Sequence, residues 1–396
     1  MSQPPTSEAA ILHWSEGGDN RAAVWRSETG GLPPRRVVLA DDTLPADTAY
    51  RLACEGTGLL WRGDFQNARQ MLQALGRRLD RAAERRKQGD STFPQAFHLH
   101  RKAQAERARI LARLLIELDE DYRIDLRRAP DVQAACTEAY GPSGASGDVS
   151  GASVVSLREL QGVVGAHEWR KKGVPVAALG GAHIHPHHGV FSPVRGEYLD
   201  LVAQAPLPAG LKAPGAAAWD IGTGTGVLAA VLLQRGVGRV VATELSPRAL
   251  VCADDNLCRL GCRDRVDLQA CDLFPDASAG TSPLIVCNPP WLPGKPASAV
   301  EQAIYDPEHR MLRGFLNGVG ARLAPQGEAW LILSDLAEHL RLRTREQLLQ
   351  WIEQAGLHVL ARHDTRPRHG KAHDRDDPLH AARSREVTSL WRLGVR

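Results

Sequence analysis

The chain has 396 residues, of which 43% are hydrophobic and 24% charged, and its formal net charge is +3. This composition is that of an ordinary globular protein with room for a catalytic domain and a second unit, and so small a charge points to no particular partner. The sequence also argues against a membrane-spanning protein, since no apolar run reaches the roughly 18 residues that a bilayer requires. The first residues lack the basic and apolar regions of a signal peptide, so we expect a cytoplasmic protein without membrane contact.

The seven cysteines argue against a disulfide framework, because they are an odd number spread over a long chain. Four of them lie close together but lack the paired spacing of a zinc site. These four are Cys252, Cys258, Cys262 and Cys271. We therefore expect small buried thiols and no bound metal.

A Gly/Ser-rich segment at residues 141–155 predicts a flexible linker between two units. The first unit, residues 1–140, is a candidate substrate-recognition domain, and the second spans residues 156–396. The first is expected to be mainly helical after a short α/β start. Residues 65–87 and 93–118 both carry apolar side chains at helical spacing.

The two predicted helices of the first unit are rich in basic residues. Between Arg77 and Arg113 there are eleven Lys or Arg against four Asp or Glu. This imbalance fits either a basic face that contacts RNA or the ribosome, or a solvated helix surface balanced by the acids that follow.

The second unit alternates strand-like and helical segments after a lead-in hairpin at about residues 173–191, which turns at Gly180 and Gly181. Ser246 and Asp306 each precede a proline, which is the usual start of a helix. The strand-like segments are, in order, AAAWDI, GRVVATEL, VDLQACDL, PLIVCN, EAWLILSD, LHVLARHD and VTSLWRL. This alternation predicts a Rossmann-like α/β fold with a parallel sheet covered on both sides. The last two strands, joined by a loop alone, should pair antiparallel at its edge.

The segment DIGTGTG, residues 220–226, follows the first of these strands. Its glycines, Gly222, Gly224 and Gly226, let the backbone turn tightly and approach a ligand closely. Their spacing differs from the G-x-G-x-x-G of dinucleotide-binding folds. Asp220 would repel a pyrophosphate but suits an amino acid that carries an ammonium group. The turn therefore favours a cofactor with an amino-acid part.

Acidic residues follow the next two strands. Glu244 ends the second strand and can accept hydrogen bonds from the two vicinal hydroxyls of a ribose. Asp272 follows the third strand and suits the amino edge of an adenine, while Leu273 suits its face. Because ligands of an open parallel sheet bind at the carboxyl ends of the strands, these residues should surround one cofactor.

The fourth strand ends in IVCNPPW, residues 285–291. Pro289 and Pro290 have no N–H and a fixed φ, so this turn is rigid and rich in hydrogen-bond acceptors. The Asn288 side-chain oxygen and the Pro289 carbonyl can both accept from one amino group, and Trp291 offers a face on which a planar group can stack. The turn predicts a site that positions a planar amine, either an amide or a nucleobase amino group.

These motifs together resemble the class I S-adenosylmethionine-dependent methyltransferases, and within them the methyltransferase small-domain family with an NPP-aromatic motif. That branch includes ribosomal RNA guanine-N2 and adenine-N6 enzymes and release-factor glutamine methyltransferases. The resemblance covers about residues 173–396. It implies a seven-stranded sheet with the last strand antiparallel, and S-adenosyl-L-methionine as cofactor. It assigns the methionine part to Asp220, Gly222, Thr223, Gly224 and Gly226, the ribose to Glu244, the adenine to Asp272 and Leu273, and the acceptor to Asn288, Pro289, Pro290 and Trp291.

The residues before the first strand leave the acceptor open. GVFS at residues 189–192 matches a segment of the guanine-N2 enzymes, which usually carry Phe after the two prolines, where this chain has Trp291. Release-factor enzymes usually carry Tyr there, and a Pro-Arg-Pro-Glu-Thr-Glu-like run in place of SPVRGEY. In both groups this upstream segment borders the active site, so Phe191, Ser192 and Arg195 are predicted to line the substrate rim.

Three functions are therefore compatible with the sequence. We favour N-methylation of an RNA nucleobase, with ribosomal RNA or a ribosomal particle as partner. The second is N5-methylation of a glutamine in a protein such as a release factor. The third is a catalytically silent, cofactor-binding RNA-binding or assembly protein.

Two further segments have alternative interpretations. The loop at residues 364–386 fits either phosphate contact, through arginines such as Arg366 and Arg368, or a solvated surface. The segment HIHPHHG fits a hairpin better than a metal site, because adjacent strand residues point to opposite faces. Its histidines are His183, His185, His187 and His188.

Overall fold

The structure is a computed structural model that describes residues 10–86, 94–142, 151–194, 196–368 and 377–396. The chain forms two compact units. The first comprises Met1–Thr92 and His98–Glu168, and the second comprises Phe93–Phe97 and Trp169–Arg396. Each unit is built around its own β-sheet.

The first part of the described chain, up to residue 172, contains strands and helices in alternation. In order they are β1 (Ile11–Glu16), β2 (Asp19–Arg26), β3 (Val37–Ala40), α1 (Ala46–Cys54), β4 (Gly58–Trp61), α2 (Phe65–Arg86), α3 (Gln95–Leu111), β5 (Leu114–Leu118), α4 (Gln133–Tyr140), β6 (Ser153–Ser156) and α5 (Leu157–Lys172).

Within these described residues, six strands form one sheet in the order β1-β2-β6-β5-β4-β3. β3, β4 and β5 run parallel, and β6 is antiparallel to β5 but parallel to β2. Side chains alternate across the sheet, as strand geometry requires. Leu59 and Trp61 enter one buried cluster together with Phe65 of α2, whereas Leu60 enters the cluster on the other face with Leu115.

The expected mainly helical N-terminal domain differs from this structure. The two long helices are present, but they cover a sheet. α3 ends at Leu111, and Leu114–Leu118, expected as its last turns, forms β5. Leu114, Leu115 and Leu118 also fit a helical period. A short strand that is buried on both faces has no alternation of polar and apolar residues, so its sequence does not distinguish it from a helix.

The predicted linker at residues 141–155 does not separate the two units. β6 begins at Ser153, inside that segment, and lies in the middle of the first sheet. The first unit continues to Glu168, so the boundary lies within α5. The four apolar and small residues of β6 are too few to show a period, and the glycines before them dominate the local composition. Residues 143–150 lie outside the described part.

The second unit contains the remaining elements. In order they are β7 (Val174–Pro175), β8 (His183–Ile184), α6 (Glu197–Gln204), β9 (Ala217–Ile221), α7 (Val227–Gln234), β10 (Arg239–Glu244), α8 (Pro247–Arg259), β11 (Val266–Ala270), β12 (Ser282–Cys287), α9 (Ala299–Gln302), α10 (Arg310–Val319), β13 (Leu323–Ser334), α11 (Leu336–His339), α12 (Arg345–Gln354), β14 (Leu357–Thr365), α13 (His380–Arg383) and β15 (Thr388–Val395).

Seven strands of this unit's described residues pair in the order β11-β10-β9-β12-β13-β15-β14. β15 is antiparallel to both of its neighbours, and the other pairs are parallel. The predicted seven-stranded sheet with an antiparallel last strand is confirmed. β7 and β8 form a separate antiparallel pair, and Gly180 and Gly181 between them have positive φ.

Both faces of this sheet are buried, as the near-continuous apolar strands require. On one face, Leu284 and Val286 pack with the apolar helix α7. On the other, Ile285 packs with Leu312 and Phe315 of α10. Among the described helices, none combines the length and apolarity needed to cross a bilayer.

One predicted helix start is as expected and the other is displaced. Ser246 caps α8 by accepting a hydrogen bond from the Ala249 N–H. Asp306 instead reaches past a short turn and accepts from the N–H groups of Met311 and Leu312, in the first turn of α10. In that turn Glu308 and His309 both have φ above +50°, a conformation that costs side chains other than glycine about 1 kcal/mol or more.

Candidate active site

The predicted site residues follow neighbouring strands at one edge of the second sheet. β9 pairs in parallel with β10 and with β12, and β10 pairs with β11. Because these strands end at nearly the same level, the first loop residues Gly222 and Asn288 lie beside Glu244, the last residue of β10, and Asp272 comes two residues after the end of β11. This edge is where ligands of open parallel sheets bind.

The glycine-rich turn requires glycine for two different reasons. Gly222, Gly224 and Gly226 all have positive φ, from 58° to 79°. A Cβ added to Gly222 would also lie 2.6 Å from the Met311 methyl group of α10. The Gly222 and Thr223 N–H groups donate to the Thr243 carbonyl, each at 2.9 Å, which ties the turn to β10.

Asp220 is completely buried beneath this turn. Its Oδ2 atom accepts from the Thr223 hydroxyl at 2.6 Å and from the Ala229 N–H at 3.1 Å. Within the described residues, no hydrogen-bond donor reaches its Oδ1 atom. Burial raises the pKa of this carboxyl from 3.8 to about 6. A buried carboxylate oxygen without a donor suits a cationic ligand group, such as the ammonium of an amino acid.

Glu244 accepts hydrogen bonds from both the glycine-rich turn and the loop that follows β10. Its Oε2 atom accepts from the Gly224 N–H at 3.1 Å. Its Oε1 atom accepts from Leu245 N–H at 2.8 Å and Ser246 N–H at 3.0 Å. A carboxylate has about four acceptor positions, so this fixed and half-buried group retains capacity for a ligand hydroxyl.

Asp272 and Leu273 adopt a constrained conformation after β11. Leu273 has φ +65°, and its carbonyl accepts from the Thr243 hydroxyl at 2.5 Å. Its side chain packs against Gly314 of α10, where a Cβ would lie only 2.6 Å from the leucine methyl. Asp272 pairs with Arg310, the first residue of α10. Nothing in the sequence indicated Arg310, because it lies 38 residues from its partner.

The Asn288 side chain is held within its own turn. The Trp291 indole Nε1–H donates to Asn288 Oδ1 at 2.9 Å. Trp291 is half-buried and packs against the apolar clusters on both faces of the sheet. Tyr198 of α6 is buried, and its burial and the charge of Asp220 raise the pKa of its hydroxyl, whereas the Asn288 side chain acts to lower it. Tyr198 carries no local sequence signal beyond its place in an amphipathic helix.

Among the described residues of the predicted substrate rim, one has a side-chain oxygen without a hydrogen-bond partner. The Ser192 hydroxyl is buried, and no partner for it occurs in the part of the chain that the structure describes. Phe191 beside it is half-buried. Gly189 approaches Ala299 of α9 so closely that a Cβ there would lie 3.3 Å from the alanine methyl. Arg195 lies outside the described residues.

The histidines of HIHPHHG anchor the lead-in segment to α8. The His185 N–H donates to Asn256 Oδ1 at 2.7 Å, and Asn256 Nδ2 donates to the Thr225 carbonyl at 3.1 Å. His187 Nε2 lies 2.9 Å from Asp255 Oδ2. Among the described residues, no group of three or more candidate ligand side chains surrounds a metal position. Asn256 therefore links this segment to the glycine-rich turn, a role that its place in a helical pattern did not predict.

The basic segments are partly neutralised by acids. Arg368 donates from its backbone N–H to Glu197 at 2.5 Å, and its guanidinium lies 3.4 Å from Asp200. Arg383 lies 2.7 Å from Asp377. In the first unit, Arg78 pairs with Asp47 and Arg107 pairs with Asp80. RNA contact through either segment stays a prediction.

Comparison with known proteins is consistent with this geometry. Residues 181–353 match the family model of the methyltransferase small domain. A release factor glutamine methyltransferase of Cereibacter sphaeroides is 38% identical over 106 residues, which are 26% of this chain and 36% of that protein. A tRNA1(Val) (adenine(37)-N6)-methyltransferase of Cytophaga hutchinsonii is 31% identical over 119 residues, or 29% of this chain and 50% of that protein.

A ribosomal protein L11 methyltransferase of Pelobacter propionicus is 40% identical over 70 residues, which are 17% of this chain and 22% of that protein. The chain thus spans at most half the length of these three curated relatives. One of the three is named for a tRNA substrate, and the other two are named for a release factor and a ribosomal protein.

Proposed function

We propose that this chain is an S-adenosylmethionine-dependent N-methyltransferase that acts on a nucleobase amino group of RNA, since residues 181–353 match the family model of the methyltransferase small domain. The observation that carries the proposal is the position of Asn288 beside the glycine-rich turn. β12 pairs directly with β9, so an amine held by Asn288 lies next to the cofactor residues.

The residues of the cofactor side fit S-adenosylmethionine. Asp220 presents a buried oxygen that no donor in the described part of the chain reaches, which suits the ammonium group. Glu244 retains acceptor capacity for the ribose hydroxyls, and the glycine-rich turn leaves space that a Cβ would fill. Asp272 and Leu273 would hold the adenine. When bound, this cofactor supplies an electrophilic methyl group on a sulfonium that leaves as a thioether.

The acceptor side orients a poorly nucleophilic nitrogen. Asn288 Oδ1 and the Pro289 carbonyl each accept one N–H of the amino group, which directs the nitrogen toward the methyl carbon. The nitrogen forms the new N–C bond and then loses one proton to solvent. Trp291 provides a broad aromatic face, which suits a purine better than the narrow side chain of a glutamine.

A glutamine side-chain amide is the second candidate acceptor. It is favoured by the 38% identity to the release factor enzyme of Cereibacter sphaeroides. The Asn288–Pro289 acceptors suit an amide NH2 as well as a nucleobase amine, so the two candidates differ in what surrounds the amine.

The test is transfer of tritium from methyl-labelled cofactor. Cell extract from a strain that lacks this protein is separated into ribosomal RNA, transfer RNA and protein fractions, and each is incubated with the purified chain. Label in ribonuclease-sensitive material supports the proposal. Label recovered as N5-methylglutamine after protein hydrolysis supports the second candidate. Cofactor binding without transfer to any fraction supports a silent cofactor-binding protein instead.

Asn288→Ala tests the assigned site. We expect turnover to fall at least about 100-fold, as is common for a lost positioning group in a transition state, while calorimetry shows cofactor binding retained. Asn20→Ala, on the surface of β2, is the matched control. Normal turnover in Asn288→Ala would refute the assigned role.

A further inference from the structure

We infer that Trp291 is a positioning residue that fixes which end of the Asn288 carboxamide faces the acceptor. This inference rests on the proposed function. It adds a hydrogen-bonding role for the indole N–H to the stacking role expected of an aromatic residue after the two prolines.

An asparagine side chain has two ends of opposite hydrogen-bonding character. Its oxygen accepts, and its nitrogen donates. Rotation of the amide by about 180° exchanges them, and the flipped group would present N–H bonds to an amine that also offers N–H bonds. A site that needs the oxygen must therefore hold the amide against rotation.

The structure contains that restraint. Trp291 Nε1–H donates to Asn288 Oδ1 at 2.9 Å, and in the flipped amide this N–H would meet an NH2 group instead. The indole itself is fixed by apolar packing on both sides of the sheet end. One lone pair of Oδ1 is thus occupied, and no second donor from the described residues reaches this oxygen, so its other lone pair can accept from a substrate.

The arrangement also explains why the aromatic residue is tryptophan. Of the aromatic side chains, phenylalanine has no donor, and a tyrosine hydroxyl lies at the far end of its ring. Among Phe, Tyr and Trp, the indole alone carries a donor on the side of the ring, where it can bond to a residue three positions earlier in the same turn.

The sharpest test replaces Trp291 with β-(3-benzothienyl)alanine. This analogue keeps the fused ring but has sulfur in place of N–H. We expect kcat to fall about tenfold, which corresponds to one lost hydrogen bond, while the cofactor dissociation constant changes by less than about twofold. Incorporation of the analogue at Trp25, whose N–H donates to the Gly31 carbonyl in the first unit, is the matched control and should leave kcat unchanged. A fall of less than about twofold at position 291 overturns the inference, because even a weak hydrogen bond corresponds to about that factor.

A double-mutant cycle separates positioning from packing. In an Asn288→Asp background both oxygens accept, so the orientation of the group no longer matters. Trp291→Phe should therefore cost about tenfold with Asn288 and less than about twofold with Asn288→Asp. Equal losses in both backgrounds would assign Trp291 to packing alone and overturn the inference. If Asn288→Asp turns over too slowly to measure, the benzothienyl analogue decides.

Failure of this inference is distinct from failure of the proposed function. A parent protein that transfers no methyl group to RNA or protein refutes the proposed function. A parent whose turnover requires Asn288 but is indifferent to the indole N–H refutes only the role of Trp291.

Discussion

Arg310 pairs with Asp272 across the edge of the proposed cofactor site. Arg310 is the first residue of α10, and Asp272 is the acid expected to receive the adenine amino group. Met311, the next residue of α10, packs against Gly222 of the glycine-rich turn. The start of α10 therefore contacts both ends of the proposed cofactor site, although it lies about 90 residues from the turn in the sequence.

We expect Asp272→Ala to weaken cofactor binding and Arg310→Ala not to weaken it. Asp272→Ala should weaken binding about tenfold, because one hydrogen bond to a charged acceptor is lost. Arg310→Ala should leave affinity equal or up to about threefold tighter, because the carboxylate no longer shares its oxygens. Titration calorimetry with S-adenosylmethionine measures both. Equal weakening by the two substitutions would show that the ion pair, and not the acid alone, holds the adenine.

Asp220 should make the stability of the unliganded protein depend on pH. Its pKa is raised from 3.8 to about 6, so between these pH values the native state holds a proton that the unfolded state has lost. The free energy of unfolding should therefore fall as pH rises through this window, by up to about 3 kcal/mol from this group.

Asp220→Asn removes that dependence and provides the measurement. In urea unfolding, the variant should be more stable than the parent at pH 7.5 and similar to it at pH 4.5. Contributions from other titrating groups cancel in the difference between the two proteins. A difference that does not change with pH would contradict the assignment of the raised pKa to Asp220.

The same carboxyl should govern cofactor affinity. An ammonium group favours ionised Asp220, so binding by the parent should weaken as pH falls below about 6. The Asp220→Asn variant should bind at least about tenfold more weakly at pH 7.5, because a buried charge pair is lost. Its affinity should be nearly flat between pH 5 and about 7. Equal affinity of parent and variant at pH 7.5 would argue against an ammonium group at this site.

Gly222→Ala and Gly224→Ala should differ in cost although both glycines have positive φ. Each substitution loses about 1–2 kcal/mol of stability from the backbone conformation. Gly222→Ala also forces a methyl group against Met311, which should cost a further 1–3 kcal/mol or so, whereas nothing lies within 4 Å of a Cβ at Gly224. Met311→Ala should restore part of the extra loss only in the Gly222→Ala background. Thermal unfolding of the parent, the three single variants and the two double variants tests this.

Asn256→Ala should lower both stability and cofactor affinity. Its fully buried amide bridges the His185 N–H and the Thr225 carbonyl, and both would lose a buried partner. The expected loss of unfolding free energy is about 2–4 kcal/mol. His183→Ala, at an exposed position of the same segment, is the control and should change stability by less than about 0.5 kcal/mol. Unchanged cofactor affinity in Asn256→Ala would separate the lead-in segment from the site.

The second unit was predictable because its chemistry is local in sequence. Each strand of the parallel sheet is an apolar run, and each site residue follows its strand within a few positions. The sequence did not indicate Arg310, Asn256 or Tyr198, because their roles depend on partners 38, 71 and 90 residues away. The sheet of the first unit was not predicted for another reason. Its strands are four to eight residues long, and those buried on both faces have the same apolar pattern as a helix.

β6 is the last strand of the first unit in the sequence, yet it lies between β2 and β5. Among the described residues, the hairpin of β1 and β2 is linked to the hydrogen-bonded ladder of the other three strands only through β6, although side chains of β1 also pack against them. During synthesis the ribosome must therefore release residues up to Ser156 before this sheet can close, and until then two half-sheets each present an unpaired edge. A fragment ending near residue 140, where the composition suggests a boundary, would keep both edges open and is expected to aggregate. One ending after residue 168 contains every strand.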